Sequence, residues 1–515
     1  MLWHRAWMII SKKAMRLPGT SLIWLSQPPT RWQIELSMLM EQDNGQFFQT
    51  LRLVLRVCGL ACLCAFWLSG CVAFRQPLPS QLPEQIPEEW AADVAIDKLP
   101  MTTSLMDLLG EQPLLRQHLD EALKHNPNLR ATALRLQSAG YMLAGTGSQR
   151  RPQISAEFSS GRGNQNIDVE TGKRKTSNSR QLSLGVSWEL DIWGRLANEQ
   201  QAAQQTVLAQ QYHYLHIRDA LAARVIQAWI EQVAIRRSLD IETNRVAFLQ
   251  RIETVLSDRY KSGIGHLDEL SVARSRTEIA IADLSARHTA LRRAMRKLEV
   301  LIGRYPRGIL ATGMELPEIQ PPPVAIPATV LLNRPDIQAS LAQLQSASHR
   351  SRAADKAILP ELRLSAQVFR QAAHLNGLGD ATSAWHLLGG LFQPLFAGGR
   401  ITNTSKALRV EAEAALMDLR ATVLQALSEV EDAFDVDRDL ARQIQALEVA
   451  VTESAASSDY YESRYNQGLA DMQSLLIAKE QELSVRIRLH EAEAERWSNR
   501  VDLALALGAG VGGEN

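Results

Sequence analysis

Two kinds of hydrophobic spacing alternate along this chain. Leu208, Leu215, Ala222 and Trp229 stand seven apart, and so do Val207, Tyr214, Leu221, Ala228 and Ile235. Two neighbouring stripes of this kind predict a helix with a wide apolar face that touches a partner on each side, as in a ring, where a two-stranded coiled coil needs one seam. Elsewhere the period is two: Ile154, Ala156 and Phe158 alternate with Ser155, Glu157 and Ser159. Leu182, Leu184, Val186, Trp188 and Leu190 alternate with Ser183, Gly185, Ser187 and Glu189. These read as half-exposed strands. A third strand follows with Leu362, Leu364, Ala366 and Val368, and a fourth, of weaker pattern, through Trp385, Leu387, Gly389 and Leu391. The polar stretches Gly161 to Arg180 and Arg370 to Ser383 read as outside loops.

The chain is one unit written twice. Asn126-Pro127 matches Arg334-Pro335 and Arg151-Pro152 matches Leu359-Pro360 at an offset of 208; Gly194-Arg195 matches Gly399-Arg400 and Arg259-Tyr260-x-x-Gly263 matches Arg464-Tyr465-x-x-Gly468 at 205. Gly and Pro, which interrupt helices most strongly, agree with the duplication. They are absent from Arg195 to Ser262 and from Arg400 to Gln467, 68 residues each, then from His266 to Ile302 (37 residues) and from Leu469 to Leu507 (39 residues). Each half is thus predicted to end in a helical hairpin, its longer arm reaching roughly 100 Å.

The predicted organisation runs as follows. Residues 1–37 are an extension upstream of a start at Met38 or Met40, 38–70 a signal peptide, and 71–100 an N-terminal segment that precedes the first repeat. Residues 101–311 form the first repeat, with a strand hairpin over 152–192 and a helical hairpin over 195–303. After a Pro-rich linker over 312–329 comes the second repeat, 330–508, with its strands over 360–396 and helices over 400–507; 509–515 is a tail. The fold class is mainly α with a transmembrane β part. Four strands cannot close a membrane barrel, since an open edge in lipid leaves backbone groups unpaired at several kcal/mol each. Copies must therefore combine: two would give eight strands with a filled interior, three would give twelve and a lumen.

Composition and chemistry narrow the function. Lys+Arg and Asp+Glu are equal at 56 each, which leaves no footprint for a nucleic-acid partner. All four cysteines, Cys58, Cys62, Cys64 and Cys71, lie in or just after the apolar run from Val57 to Leu68, too short to span a bilayer. The run ends in Leu68-Ser69-Gly70-Cys71, which resembles the lipobox of bacterial lipoproteins and makes Cys71 the acylated residue. Val72 follows it, which by the same resemblance favours the outer membrane. No zinc-protease, P-loop or Gly-x-Ser-x-Gly motif occurs, and no cofactor or catalytic site is expected. His213 and His216 lie three apart without a third ligand and are assigned to surface or seam.

Three segments then carry a family resemblance: Leu184-Gly-Val-Ser-Trp-Glu-Leu-Asp-Ile-Trp-Gly-Arg195, Leu332-Asn-Arg-Pro-Asp-Ile337 and Pro394-Leu-Phe-Ala-Gly-Gly-Arg400. With the lipobox, they make the chain, from about Cys71 to Gly508, resemble the lipidated branch of the TolC-like outer-membrane efflux proteins. The resemblance implies a homotrimer with a twelve-stranded barrel in outer-membrane lipid and a long helical barrel below it. Its partners would be a periplasmic adaptor and an inner-membrane transporter. It also implies that the hairpin tips close the duct, with Asp268, Glu269 and Tyr465 at latch positions. Where some members place two Asp residues a helical turn apart, this chain has Ser474 and Ile477, and the nearest carboxylate is Asp471. The expected function is a passive duct exporting small molecules; the alternatives are a channel for type I protein secretion and a non-conducting coiled-coil lipoprotein.

Overall fold

The computed structural model describes residues 90–91, 104–105, 110, 112–167, 174–311, 316–317 and 327–511. Pro113 and Pro127 each open a helix, the position where a missing N–H costs nothing, giving α1 (Pro113–His125) and α2 (Pro127–Ser148). Asn126 between them accepts from the backbone N–H of Asn128 and Leu129, a cap that contributes about 1 kcal/mol. Its amide donates to the Leu301 carbonyl at 2.8 Å. The second half builds the same joint from α5 (Pro327–Asn333) and α6 (Pro335–Lys356) with different chemistry. Arg334 replaces Asn126; its guanidinium donates to the Ala506 carbonyl at 3.1 Å and to Asp336 and Glu429 at 2.7 Å each. An amide and a guanidinium thus pin equivalent turns onto equivalent helix ends.

Strands β1 (Gln153–Ile167), β2 (Arg174–Leu190), β3 (Glu361–Ala372) and β4 (Ala384–Phe392) form one antiparallel sheet in chain order. Ala156, Leu184, Val368 and Trp385 lie in one row across it. Because directly opposed residues share a face, one side collects Ile154, Phe158, Leu182, Val186, Trp188, Leu364, Leu387 and Leu391. The other collects Ser155, Glu157, Ser183, Ser187, Glu189, Ser365 and Gln367. The fourth strand, weakest in the sequence, joins in register with its Trp385 and Leu387 on the apolar side. The stretch read as a loop from Gly161 to Arg180 is instead largely strand, paired as far as Ile167 with Arg174. Backbone hydrogen bonds continue the ribbon with Ile167 as its single large apolar residue, so the loss of alternation marked the end of an apolar face and not the end of pairing. Likewise β3 continues to Ala372, and a short 3-10 turn, Leu375–Leu378, lies beyond it. Among the described residues the outer edges of β1 and β4 are unpaired.

The helical hairpins are α3 (Arg195–Lys261) with α4 (Leu267–Leu301), and α7 (Arg400–Asn466) with α8 (Met472–Ala506). Their lengths are 67 and 35 residues in both halves. Near the sheet α3 packs between α2 and α6, and α6 against α7; toward the tips α3 packs between α4 and α8, and α8 against α7. The two seams of α3 serve these two neighbours. Its middle, from Leu221 to Ala234, is buried with Leu119, Leu298, Trp497 and Val501 in the main core. A second core joins Phe248, Leu249 and Ile252 to Leu270, Met472 and Leu475 nearer the tips. Trp90 is buried beside Phe434, ring centroids 6.2 Å apart. Among the described residues no helix is long and apolar enough to cross a membrane.

Candidate gate at the hairpin tips

Both long helices stop at a glycine, Gly263 and Gly468, each at φ of 75°, a conformation that a side chain would strain. The closing bonds match: Ile264 N–H to the Arg259 carbonyl at 3.1 Å, and Leu469 N–H to the Arg464 carbonyl at 2.8 Å. This is the left-handed cap that satisfies the last carbonyls of a helix, and it turns each chain back on itself at the tip. Ile264, Leu267, Leu469 and Ile477 stand exposed there.

The residues singled out in the sequence fall into two groups. Asp268 and Glu269 occupy the exposed first turn of α4, where the helix dipole favours carboxylates. Tyr465, in the last turn of α7, lies under the Arg259 guanidinium, 5.6 Å from ring centroid to cation. This cation–π contact ties the first hairpin to the second. The Tyr465 hydroxyl is buried with no hydrogen-bond partner among the described residues. Burial pushes its phenol up; Arg259 opposes the shift and Glu269 adds to it. Asp471 and Ser474, by contrast, serve their own helix. The Asp471 carboxylate caps α8, accepting from the Ser474 N–H at 2.7 Å and the Ser474 hydroxyl at 3.0 Å. Those two bonds hold the carboxyl below its ordinary value against a small opposing contribution from burial.

Above the tip, a ladder of ion pairs joins the hairpins. Arg245, which also meets Asp283 of its own hairpin at 3.2 Å, reaches across to Glu480 at 3.9 Å, and Arg276 reaches Glu480 at 3.5 Å. Arg287 meets Glu491 at 3.4 Å and Arg237 meets Glu493 at 3.2 Å. In these cross-hairpin pairs every cation belongs to the first hairpin and every carboxylate to α8. Exposed pairs of this kind contribute under about 1 kcal/mol each. Arg245 also holds the buried Glu242 at 2.9 Å, and that carboxylate would be costly to leave alone. Sequence reading missed the ladder, because partners such as Arg237 and Glu493 lie 256 positions apart. Arg259 was visible only as half of the matched Arg-Tyr motif.

At the other end of α3 the Trp-Glu-Leu-Asp-Ile-Trp-Gly-Arg segment forms a rigid elbow. The Asp191 carboxylate accepts from the Leu196 and Ala197 N–H groups, Glu189 pairs with Arg195 at 2.6 Å, and the Trp193 indole donates to the Pro360 carbonyl at 2.8 Å. The sheet is thereby fixed to the helix at a set angle. Cys71 lies outside the described residues. His213 sits on α3, its pKa lowered by burial, by His216 and by Arg135; among the described residues no His, Cys, Asp or Glu group is arranged to hold a metal.

Over 397 residues the chain is 25% identical to the cation efflux system protein CusC of Escherichia coli K12, spanning 76% of this chain and 86% of that protein. It is 26% identical over 425 residues to the outer membrane protein OprJ of Pseudomonas aeruginosa PAO1, spanning 81% and 87%. In fold it is similar to the Campylobacter jejuni CmeC outer membrane channel, with a TM-score of 0.77 over 85% of this chain and 95% of that one at 20% identity. Residues 118–304 and 326–509 match the family described as outer membrane efflux protein, and this chain belongs to that family.

Proposed function

We propose that the protein is the outer-membrane duct of a tripartite efflux system. Three copies close a twelve-stranded barrel continued by a helical barrel, and small molecules pass through it without any catalytic step of its own. An inner-membrane transporter supplies the energy and a periplasmic adaptor joins the two at the hairpin tips. Cys71, acylated, holds the chain to the outer-membrane lipid. Asp268, Glu269 and Tyr465 act at the gate, with Asp471 and Ser474 shaping the tip beside them.

One observation carries this reading: the unpartnered edges of the sheet and of the helical layer coincide. On one side stand α2 and the strand that follows it, β1; on the other stand β4 and the helix that follows it, α7. Val410, Met417 and Leu424, seven apart on α7, are all half or more exposed, as are Leu134 and Tyr141, seven apart on α2. Toward the tips the outer helix α4 likewise exposes Val272 and Ile279. A single rotation that brings β4 of one copy to β1 of the next also brings one apolar stripe to the other. The rotation removes both the open strand edges, which lipid does not tolerate, and the exposed stripes. Three copies, and not two, leave a lumen.

The test is Leu424→Asp combined with Tyr141→Asp. Both residues are exposed in the single chain, so helix content measured by circular dichroism should hold. The trimer seen by light scattering in detergent should fall to monomer, and channel conductance should vanish. A wild-type protein that is monomeric in detergent, or a double variant that stays trimeric and conducting, would overturn the reading.

A further inference from the structure

The polar face of the sheet is polar on β1 and β2 but not on β4. On β1 it carries Gln153, Ser155, Glu157 and Ser159, and on β2 Ser183, Gly185, Ser187 and Glu189. On β4 the same face carries His386, Leu388 and Phe392, opposite Gln367, Ser365 and Glu361 of β3. Leu388 is 59% and Phe392 65% exposed. Phe369 of β3 extends the series, its ring 6.1 Å from that of His386. Over the eight steps from Ala384 to Phe392 the strand rises about 27 Å, so the apolar ribbon runs most of the way across a bilayer. The sheet itself has no need of it, since β1 and β2 pair without apolar groups on that face.

A second copy does not cover the ribbon either. In the ring proposed above the strand beside β4 is β1 of the next copy, whose matching face bears Gln153, Ser155, Glu157 and Ser159. Carboxylates flank the ribbon on both sides. Glu361 lies opposite Phe392, and Glu157 is exposed and makes no ion pair among the described residues. Of the carboxylates on this face, Glu189 pairs with Arg195 at 2.6 Å and Glu361 lies 4.0 Å from Arg195 and 3.8 Å from Arg363, which leaves Glu157 without an ion pair among the described residues. An aromatic and aliphatic track with the unpaired Glu157 carboxylate beside it in the ring is complementary to a cation with an apolar body.

We propose that Phe369, His386, Leu388 and Phe392 form a weak binding track on the lumen wall for organic cations that carry an aromatic or apolar portion. The track rests on the barrel reading above. Its affinity is low by design of the chemistry, because partly exposed side chains hold cargo loosely and a conduit must release what it binds.

The test uses tetraphenylphosphonium as the probe and the wild-type trimer in lipid nanodiscs, with binding read by calorimetry. Saturable binding is expected, weakened about tenfold or more by Phe392→Ser and, separately, by Leu388→Asn. Glu157→Gln should weaken the cation several-fold and leave the neutral analogue triphenylphosphine oxide unaffected. Absence of saturable binding to the wild type, or equal binding by both ribbon variants, overturns the track. Single cysteines separate this from failure of the barrel. L388C should react with a membrane-impermeant maleimide and L387C should not, since the two face opposite sides of the sheet. The reverse labelling overturns the barrel reading and the track together, whereas the expected labelling with unaltered binding overturns the track alone.

Discussion

Replacing Tyr465 in two ways separates two physical kinds of latch. Its hydroxyl is buried without a hydrogen-bond partner among the described residues, and its ring lies under Arg259. Tyr465→Phe removes only an unpaired polar group, so the closed tip should change by less than about 0.5 kcal/mol, with any change toward greater stability. Tyr465→Ala removes the ring. A fully buried aromatic would cost about 3–5 kcal/mol; this one is partly exposed, so about 2 kcal/mol is the better figure, with roughly 0.5–1 kcal/mol more for the lost cation–π contact. At about 1.4 kcal/mol per tenfold, the balance between closed and open tips moves by roughly 50- to 150-fold per copy. Arg259→Ala should move it only about threefold. Single-channel recording in planar bilayers reads this as open probability, expected in the order wild type equal to Tyr465→Phe, then Arg259→Ala, then Tyr465→Ala. If Tyr465→Phe opens the channel as much as Tyr465→Ala, the hydroxyl is bonded to a neighbouring copy and the contact with Arg259 is incidental.

Two further outcomes follow from the same geometry. Cys71→Ala should abolish incorporation of labelled fatty acid, and labelling that persists would remove Cys71 as the anchor. The joint at Arg334 should be acid-sensitive. Burial alone would raise the Asp336 carboxyl, but the Arg334 hydrogen bond and charge pull it below its ordinary 3.8. A carboxylate depressed by folding stabilises the fold above its unfolded pKa and loses that contribution as the pH falls through its folded value. Wild type and Asp336→Asn should therefore differ by about 1–2 kcal/mol near neutrality. The difference should close below the ordinary carboxylate pH, as followed by thermal melting; a gap unchanged at pH 2.5 would contradict the assignment.

Much of this architecture is written in local chemistry. Gly and Pro mark where a helix stops whatever surrounds it, so the Gly- and Pro-free runs of 68 residues became helices of 67. Strand alternation on β1 and β2 is legible for a similar reason: successive side chains point to opposite faces, so each position records its own side. Alternation is silent where both faces carry polar residues, and so the paired ribbon beyond Gly161 was taken for a loop.

Contacts between distant positions were decided only by the tertiary structure. Nothing near Tyr465 in the chain announces Arg259, and nothing near Glu480 announces Arg245 or Arg276, because a charge on a helix surface is locally indistinguishable from any solvated charge. Asp471 shows the converse, a candidate gate carboxylate whose hydrogen bonds go to the helix it begins. The coincidence of the sheet edge with the helix edge also needed the fold. Each stripe is visible along its own element, but which elements stand outermost depends on how α3 and α6 pack between α2 and α7. Hydrophobic periodicity says that a face will be covered; only the arrangement of elements in space says by what.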